Sequence, residues 1–161
     1  MKTKTFLNKI CSKGFTLIEL LVVIAVLGVL AAAVVAAINP VAKINQAKDA
    51  DVKSDISQIS QAMQAYFTTN AAAGNPYYPT SVAAIAGATN ELKTEPKDPS
   101  GVSYAVAIAP AGCTTLCQNI AVYRVSYADA TKYICWDSVT GVLKPASTGV
   151  PVVNVNSVTC P

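Results

Sequence analysis

The sequence predicts an α+β fold in which a long N-terminal helix, half apolar and half amphipathic, packs on a small antiparallel sheet. Three observations predict it. Residues 15–38 are apolar apart from Glu19, long enough for a membrane-spanning helix. From Val41 to Phe67 apolar residues recur at spacings of three and four, the period of one helix face. Beyond Val102 the period falls to two, and turn residues separate the apolar runs, as in a sheet of short strands.

The N-terminal end sets the strongest constraint. Of the twelve basic residues, Lys2, Lys4, Lys9 and Lys13 precede the apolar run. By the positive-inside rule they hold that end in the cytoplasm, which places residues 39–161 outside. A helix over Phe15–Ile38 is ~36 Å long and crosses a hydrocarbon core of ~30 Å. A secretory signal peptide with its cleavage site at Ala31-Ala32-Ala33, and a simple membrane anchor, both account for the apolar run. Neither accounts for Glu19. A charge inside a bilayer span costs at least ~2.5–3.5 kcal/mol on insertion scales and is rarely left without a partner.

The run Lys13-Gly14-Phe15-Thr16-Leu17-Ile18-Glu19 followed by an apolar helix resembles the class III signal of type IV pilins and type II secretion pseudopilins. The likeness covers residues 10 to about 38 closely, and extends loosely to the long helix and the cysteine-bearing C-terminal region. In that family a membrane prepilin peptidase cuts after the glycine and methylates the new terminal amine. The resemblance therefore implies removal of residues 1–14, cleavage between Gly14 and Phe15, and N-methylation of Phe15. It implies as partners the peptidase, an inner-membrane assembly platform, the bilayer before assembly, and copies of this chain and other pilin-like subunits in a helical filament. The family's helix-breaking proline usually comes slightly earlier than Pro40.

The physics of the motif agrees with that processing. Gly14 gives a peptidase unhindered access to extended backbone. The product is a helix whose first residue carries an ammonium and whose fifth, Glu19, carries a carboxylate. In a staggered bundle Glu19 meets a neighbour's amine, and a misregistered subunit leaves a buried charge alone at ~3–5 kcal/mol. Glu19 is thus expected to set register during assembly.

The remaining elements follow in order. Pro40 is expected to kink or relax the helix. Residues 39–67 read as its amphipathic half, with Val41, Ile44, Val52, Ile56, Ile59, Met63 and Tyr66/Phe67 on the apolar stripe. Lys43, Lys48, Asp49, Asp51, Lys53 and Asp55 read as a solvated face with pairs such as Asp49–Lys53. Thr68 to Pro76 should end the helix, so that 15–67 is one continuous helix. Residues 68–101 are a connecting region with a short helix over Ser81–Ala86, capped by Thr80 or Ser81. Residues 102–161 hold the sheet and tail. Val102, Tyr104, Val106 and Ile108 form one strand, and Tyr123, Val125 and Tyr127 another. Lys132–Asp137 and Val142–Lys144 follow, separated by turns at 128–131 and 138–141. The tyrosines read as sheet packing rather than a binding platform, since only Arg124 and Lys132 lie near them.

Loss of the leader removes Cys11 and leaves Cys113, Cys117, Cys135 and Cys160 on the oxidising side of the membrane. Four cysteines allow three connectivities. The favoured one closes a small loop with Cys113–Cys117 and ties the tail Pro145–Pro161 to a strand with Cys135–Cys160. A zinc site is disfavoured by the spacing.

Histidine is absent, the carboxylates are unclustered and no nucleophile has an activating base, so neither catalysis nor a cofactor is expected. Without residues 1–14, eight basic side chains face nine acidic ones, and nucleic acid is not an expected partner. The reading is a structural prepilin: a single-pass membrane precursor with its head outside, then an extracellular or periplasmic filament. A secretion pseudopilin and a DNA-uptake minor pilin share the motif and stand as alternatives. Motility, adhesion and secretion are not separated.

Overall fold

The computed structural model describes residues 14–74, 76–87, 91–111, 113, 117–154 and 157–161. The lysines of the leader and Cys11 lie outside these residues. The chain divides into two compact units at Pro40.

The first unit contains helix α1, Leu17–Ile38. Its sequence is Leu, Ile, Val and Ala with one glycine and Glu19, and none of its residues is buried within the chain. An apolar helix that offers no buried position among the described residues is the form expected of a segment whose solvent is lipid. Among the described residues it is the one helix long and apolar enough to cross a membrane.

The expected continuous helix over 15–67 is instead two. Asn39 adopts the left-handed conformation, with φ 48° and ψ 74°, and α1 ends there. Asparagine is among the few residues that tolerate this region. Pro40 is then the first residue of helix α2, Pro40–Ala72, where its missing N–H costs nothing. At its far end α2 runs past Phe67. Thr68 and Thr69 donate their hydroxyls to the Ala65 carbonyl, and Asn70 donates its amide to the Tyr66 carbonyl, so the expected breakers bond back onto the helix. Tyr66 meets Tyr77 edge-on at 5.7 Å and Phe67 stacks on Tyr78 at 4.6 Å, pinning the last turns.

The second unit is α2 and a sheet. Strands β1 (Ala105–Ala109), β2 (Asn119–Val125), β3 (Lys132–Asp137) and β4 (Leu143–Thr148) form an antiparallel meander in chain order. The connecting segment carries a short 3-10 helix at Val82–Ile85, and Ser81 at its start makes no side-chain cap bond. Single bridges Tyr78–Cys117, Ala86–Leu92 and Lys97–Ser103 stitch this segment down. Pro145 falls where the β3–β4 register slips, between the pairs Tyr133–Ser147 and Cys135–Lys144, a place in a sheet that tolerates a missing donor.

Alternation along the strands gives the sheet two apolar faces. Val106, Ile108, Ile120, Val122, Ile134 and Trp136 join Val52, Ile56, Ile59 and Met63 of α2 in the main core. Ala109, Ala121 and Cys135 face the other way, under Val158 and Cys160 of the tail. That tail forms a two-stranded hairpin, β5 (Val152–Val153) and β6 (Val158–Thr159). The tail, tied to a strand by Cys135–Cys160 as expected, is in addition a third layer over the sheet. Tyr123 and Tyr133 meet edge-on at 6.0 Å, and Tyr123 packs on this second core.

Two acids expected on a solvated face turn inward. Asp49 is buried and accepts from the Ser126 hydroxyl at 2.6 Å, the Tyr127 N–H at 2.6 Å and the Ala128 N–H at 3.3 Å. The anticipated Asp49–Lys53 pair is thereby replaced, because the turn after β2 brings N–H groups that need an acceptor. Lys48 lies 5.0 Å from the centre of the Tyr127 ring. Asp55 accepts from the Tyr104 hydroxyl at 2.6 Å. Burial and the Asp55 carboxylate push the Tyr104 phenol well above its usual value.

Asp98 is the most heavily bonded carboxylate. Its Oδ1 accepts from the Ser100 N–H and hydroxyl and from the Val102 N–H. Its Oδ2 accepts from the Arg124 guanidinium at 2.6 Å and the Tyr127 hydroxyl at 2.9 Å. Burial alone would raise this carboxyl. The Val102, Ser100, Tyr127 and Arg124 donors outweigh it and hold the group well below the usual carboxylate range. Asp137 plays a similar part at the β3–β4 turn, accepting from Thr140 and from the Cys160 N–H. Gly141, at φ 68°, completes that turn by donating to the Asp137 carbonyl.

Candidate assembly site at the start of the apolar helix

Gly14, Phe15, Thr16 and Glu19 lie close together in sequence at the beginning of α1. Gly14 and Phe15 precede the helix in irregular backbone, and both are exposed. A Cβ placed on Gly14 would meet nothing within 4 Å, and Phe15 is 90% exposed. Among the described residues nothing crowds the Gly14 side of the Gly14–Phe15 peptide.

Thr16 caps the helix. Its φ of −79° and ψ of 149° are extended, and its side chain accepts from the Glu19 N–H at 3.3 Å. Glu19 reaches back: its Oε2 accepts from the Thr16 N–H at 2.8 Å and the Thr16 hydroxyl at 2.7 Å. This is a reciprocal capping box, which satisfies two of the four donors a helix start leaves unpaired. It also places a carboxylate at the positive end of the helix dipole, where a negative charge is favoured. Sequence reasoning settled on Glu19 and missed Thr16, although the Thr-x-x-Glu spacing ahead of an apolar run is the signature of this cap.

The geometry restrains Glu19 without enclosing it. Both of its bonds to Thr16 use Oε2, and the residue belongs to a helix with no buried position. Phe15 stands one residue before the cap, on the N-terminal side of a carboxylate held at the helix start.

Residues 10–35 match the family described as the prokaryotic N-terminal methylation motif. The chain carries that motif. It is the class III signal characteristic of type IV pilins and pseudopilins, and it fits a membrane-anchored, pilin-like precursor. No curated protein and no solved structure matches this chain. The long apolar helix followed by a second helix and a four-stranded antiparallel sheet is a pilin-like α+β arrangement.

The four cysteines lie in the second unit, in two bridges. Cys113 joins Cys117 with Cα atoms 5.6 Å apart, and Cys135 joins Cys160 at 5.8 Å. Among the described residues no group of three or more histidines, cysteines or acids is placed to hold a metal. Asp49, Asp98 and Asp137 are the head residues that sequence reasoning missed. Asp-Pro-Ser-Gly at 98–101 and Asp-Ser-Val-Thr-Gly at 137–141 were legible as turns, but not as anchors for distant segments.

Proposed function

We propose that the chain is the structural prepilin of a type IV pilus or pilus-like filament. In this reading prepilin peptidase cuts between Gly14 and Phe15, removes residues 1–14 and methylates the Phe15 amine. The mature helix enters a bundle of identical or related subunits through an assembly platform in the inner membrane. Glu19 receives a neighbour's Phe15 amine there and fixes the register. The segment 15–38 forms the filament core, 39–67 the base of the head, 68–101 a connecting region, and 102–161 the sheet and disulfide-tied tail. The protein acts by assembling and performs no chemistry of its own.

One observation carries the proposal: the methylation motif over residues 10–35 coincides with a helix that keeps a single carboxylate at its first turn. In a cleaved signal peptide or a passive anchor that carboxylate would serve only as a helix cap, which an uncharged residue supplies without the cost of a charge in the span. The capping box lowers the cost of holding Glu19 in the isolated subunit, and its open setting leaves room for an incoming amine. The test is the N-terminal residue and intact mass of the protein recovered from the cell envelope. A chain beginning with N-methylated Phe15 is expected. A chain beginning at Val34, past the small-residue run, would overturn the filament reading.

A further inference from the structure

The apolar stripe of α2 begins two turns before the head covers it. Val52, Ile56 and Ile59 are fully buried. Val41 and Ile44, which lie on the same face by their spacing, are 64% and 55% exposed. Gln46, on the opposite face, is also exposed. The head's cover starts at Lys48 and Asp49, which meet the turn at Tyr127. So a short helical collar presents two large aliphatic side chains to whatever surrounds it.

The chain's own connectivity says what that is. Helix α1, at 22 residues, is ~33 Å long and matches a hydrocarbon core of ~30 Å, so the span ends near Ile38. Three residues reach at most ~11 Å, which keeps Val41 close to the end of the span whatever angle the helices make. A headgroup layer is ~5–8 Å deep on each side of the core, and the rise from Val41 to Lys48 is ~10 Å. The charges between Pro40 and Lys48 are Lys43 and Lys48, both cations, and the first carboxylate, Asp49, is taken by the head. An aliphatic stripe held at headgroup depth, with Lys43 bonded to Gln46 on the opposite, polar face, has the composition of an interfacial helix.

We infer that Val41 and Ile44 form a lipid-docking face, which seats the head on the outer headgroup layer while the subunit waits in the membrane. The inference rests on the membrane-anchored reading above. The docked face presents the head of every subunit at one height above the headgroups.

The test uses the full-length chain with Cys11→Ser, so that a single introduced cysteine carries an environment-sensitive fluorophore. Labels go at Val41→Cys, Ile44→Cys, Gln46→Cys and, as an insertion control, Val29→Cys. The proteins are reconstituted in phosphatidylcholine–phosphatidylglycerol vesicles, with and without phospholipid brominated near the ester end of its chains. The expected result is blue-shifted emission at 41 and 44 that the brominated lipid quenches, with red, unquenched emission at 46. If Val29 lies in lipid while 41 and 44 are as wet as 46, the docking face is overturned and the membrane reading survives. Equal quenching at 46 also overturns it, since no face is then selected. Blue-shifted but unquenched probes at 41 and 44 would mean that a second copy covers them, against the inference. A wet Val29 would overturn inference and membrane reading together.

Discussion

Asp98→Asn removes one charge and almost no volume, and the structure says what that should do. The new carboxamide can still offer an oxygen to the Ser100 and Val102 donors. Its NH2 then faces the Arg124 guanidinium and the Tyr127 hydroxyl, so donors meet donors and a cation is left without its partner. Asp98 has no exposed side-chain surface and Arg124 keeps 24% of its own, so water rescues only one side of the broken pair. Breaking a buried pair of this kind costs ~3–5 kcal/mol. For a head of about 120 residues the unfolding entropy is ~0.25 kcal/mol per degree, so the midpoint should fall by ~12–20 °C. Trp136 is the chain's one tryptophan and is 2% exposed, so its fluorescence reports this unfolding in detergent. The pH dependence gives a second readout. A carboxyl lowered by folding contributes stability that is present above the unfolded pKa of about 3.9, and loses it as pH falls toward the folded value. The wild type should therefore weaken below pH ~4 more steeply than Asp98→Asn. A midpoint within ~2 °C of wild type, with parallel acid limbs, would refute the view that this carboxylate holds the 96–103 segment to β2.

The other predictions concern assembly, the tail and the alkaline limb. Glu19→Ala should leave the precursor in the membrane and correctly cleaved, yet abolish filaments by electron microscopy; normal filaments from this variant would remove the register argument. Cys135→Ser with Cys160→Ser opens a bridge of sequence separation 25, and should lower head stability by ~3 kcal/mol and expose the tail to protease, read by thermal melts and limited proteolysis. Tyr104→Phe loses the hydroxyl bond to Asp55, for a destabilisation of ~1–3 kcal/mol at neutral pH. Because folding raises the Tyr104 phenol, its contribution is complete below pH ~10 and fades as pH rises toward the folded value, so wild type and variant should converge in strong alkali.

The parts of the fold set by periodicity were legible in the sequence. Lys132–Asp137 is a strand with the bounds its alternation implies, and Val52, Ile56, Ile59 and Met63 meet the sheet as a helical stripe should. Glu19 was legible because it is a charge in an apolar run, whereas its partner Thr16 looked like an ordinary polar residue and needed the capping geometry to stand out. What failed were inferences from charge and composition without position. Asp49 resembles its neighbours Lys48 and Asp51 in a linear pattern, and only the arrival of residues 126–128 turns it inward. Likewise, a balance of eight basic against nine acidic residues counts Asp49, Asp98 and Asp137 as surface charges, and all three are buried. The tail's strands are two residues each, too short to show a period, and the Cys135–Cys160 bridge with the Cys160 N–H bond to Asp137 ties them to the sheet. The helix break was placed at Pro40, but the residue that leaves helical geometry is Asn39.

If the head is exported as proposed, the layer that covers the far side of the sheet bears on the order of events. The four strands pair with their predecessors in chain order, so the meander can close as it emerges. Its second face, with Ala109, Ala121 and the Cys135 sulfur, stays wet until Val158 and Cys160 arrive. Cys113 and Cys117 can join as soon as both are outside, but Cys135 must wait through another 25 residues. During that interval its thiol is open to other partners, including the two cysteines already exported. Faithful pairing therefore depends on the early bridge forming first, and a cell that oxidises slowly should accumulate heads whose sheet is complete and whose back is bare.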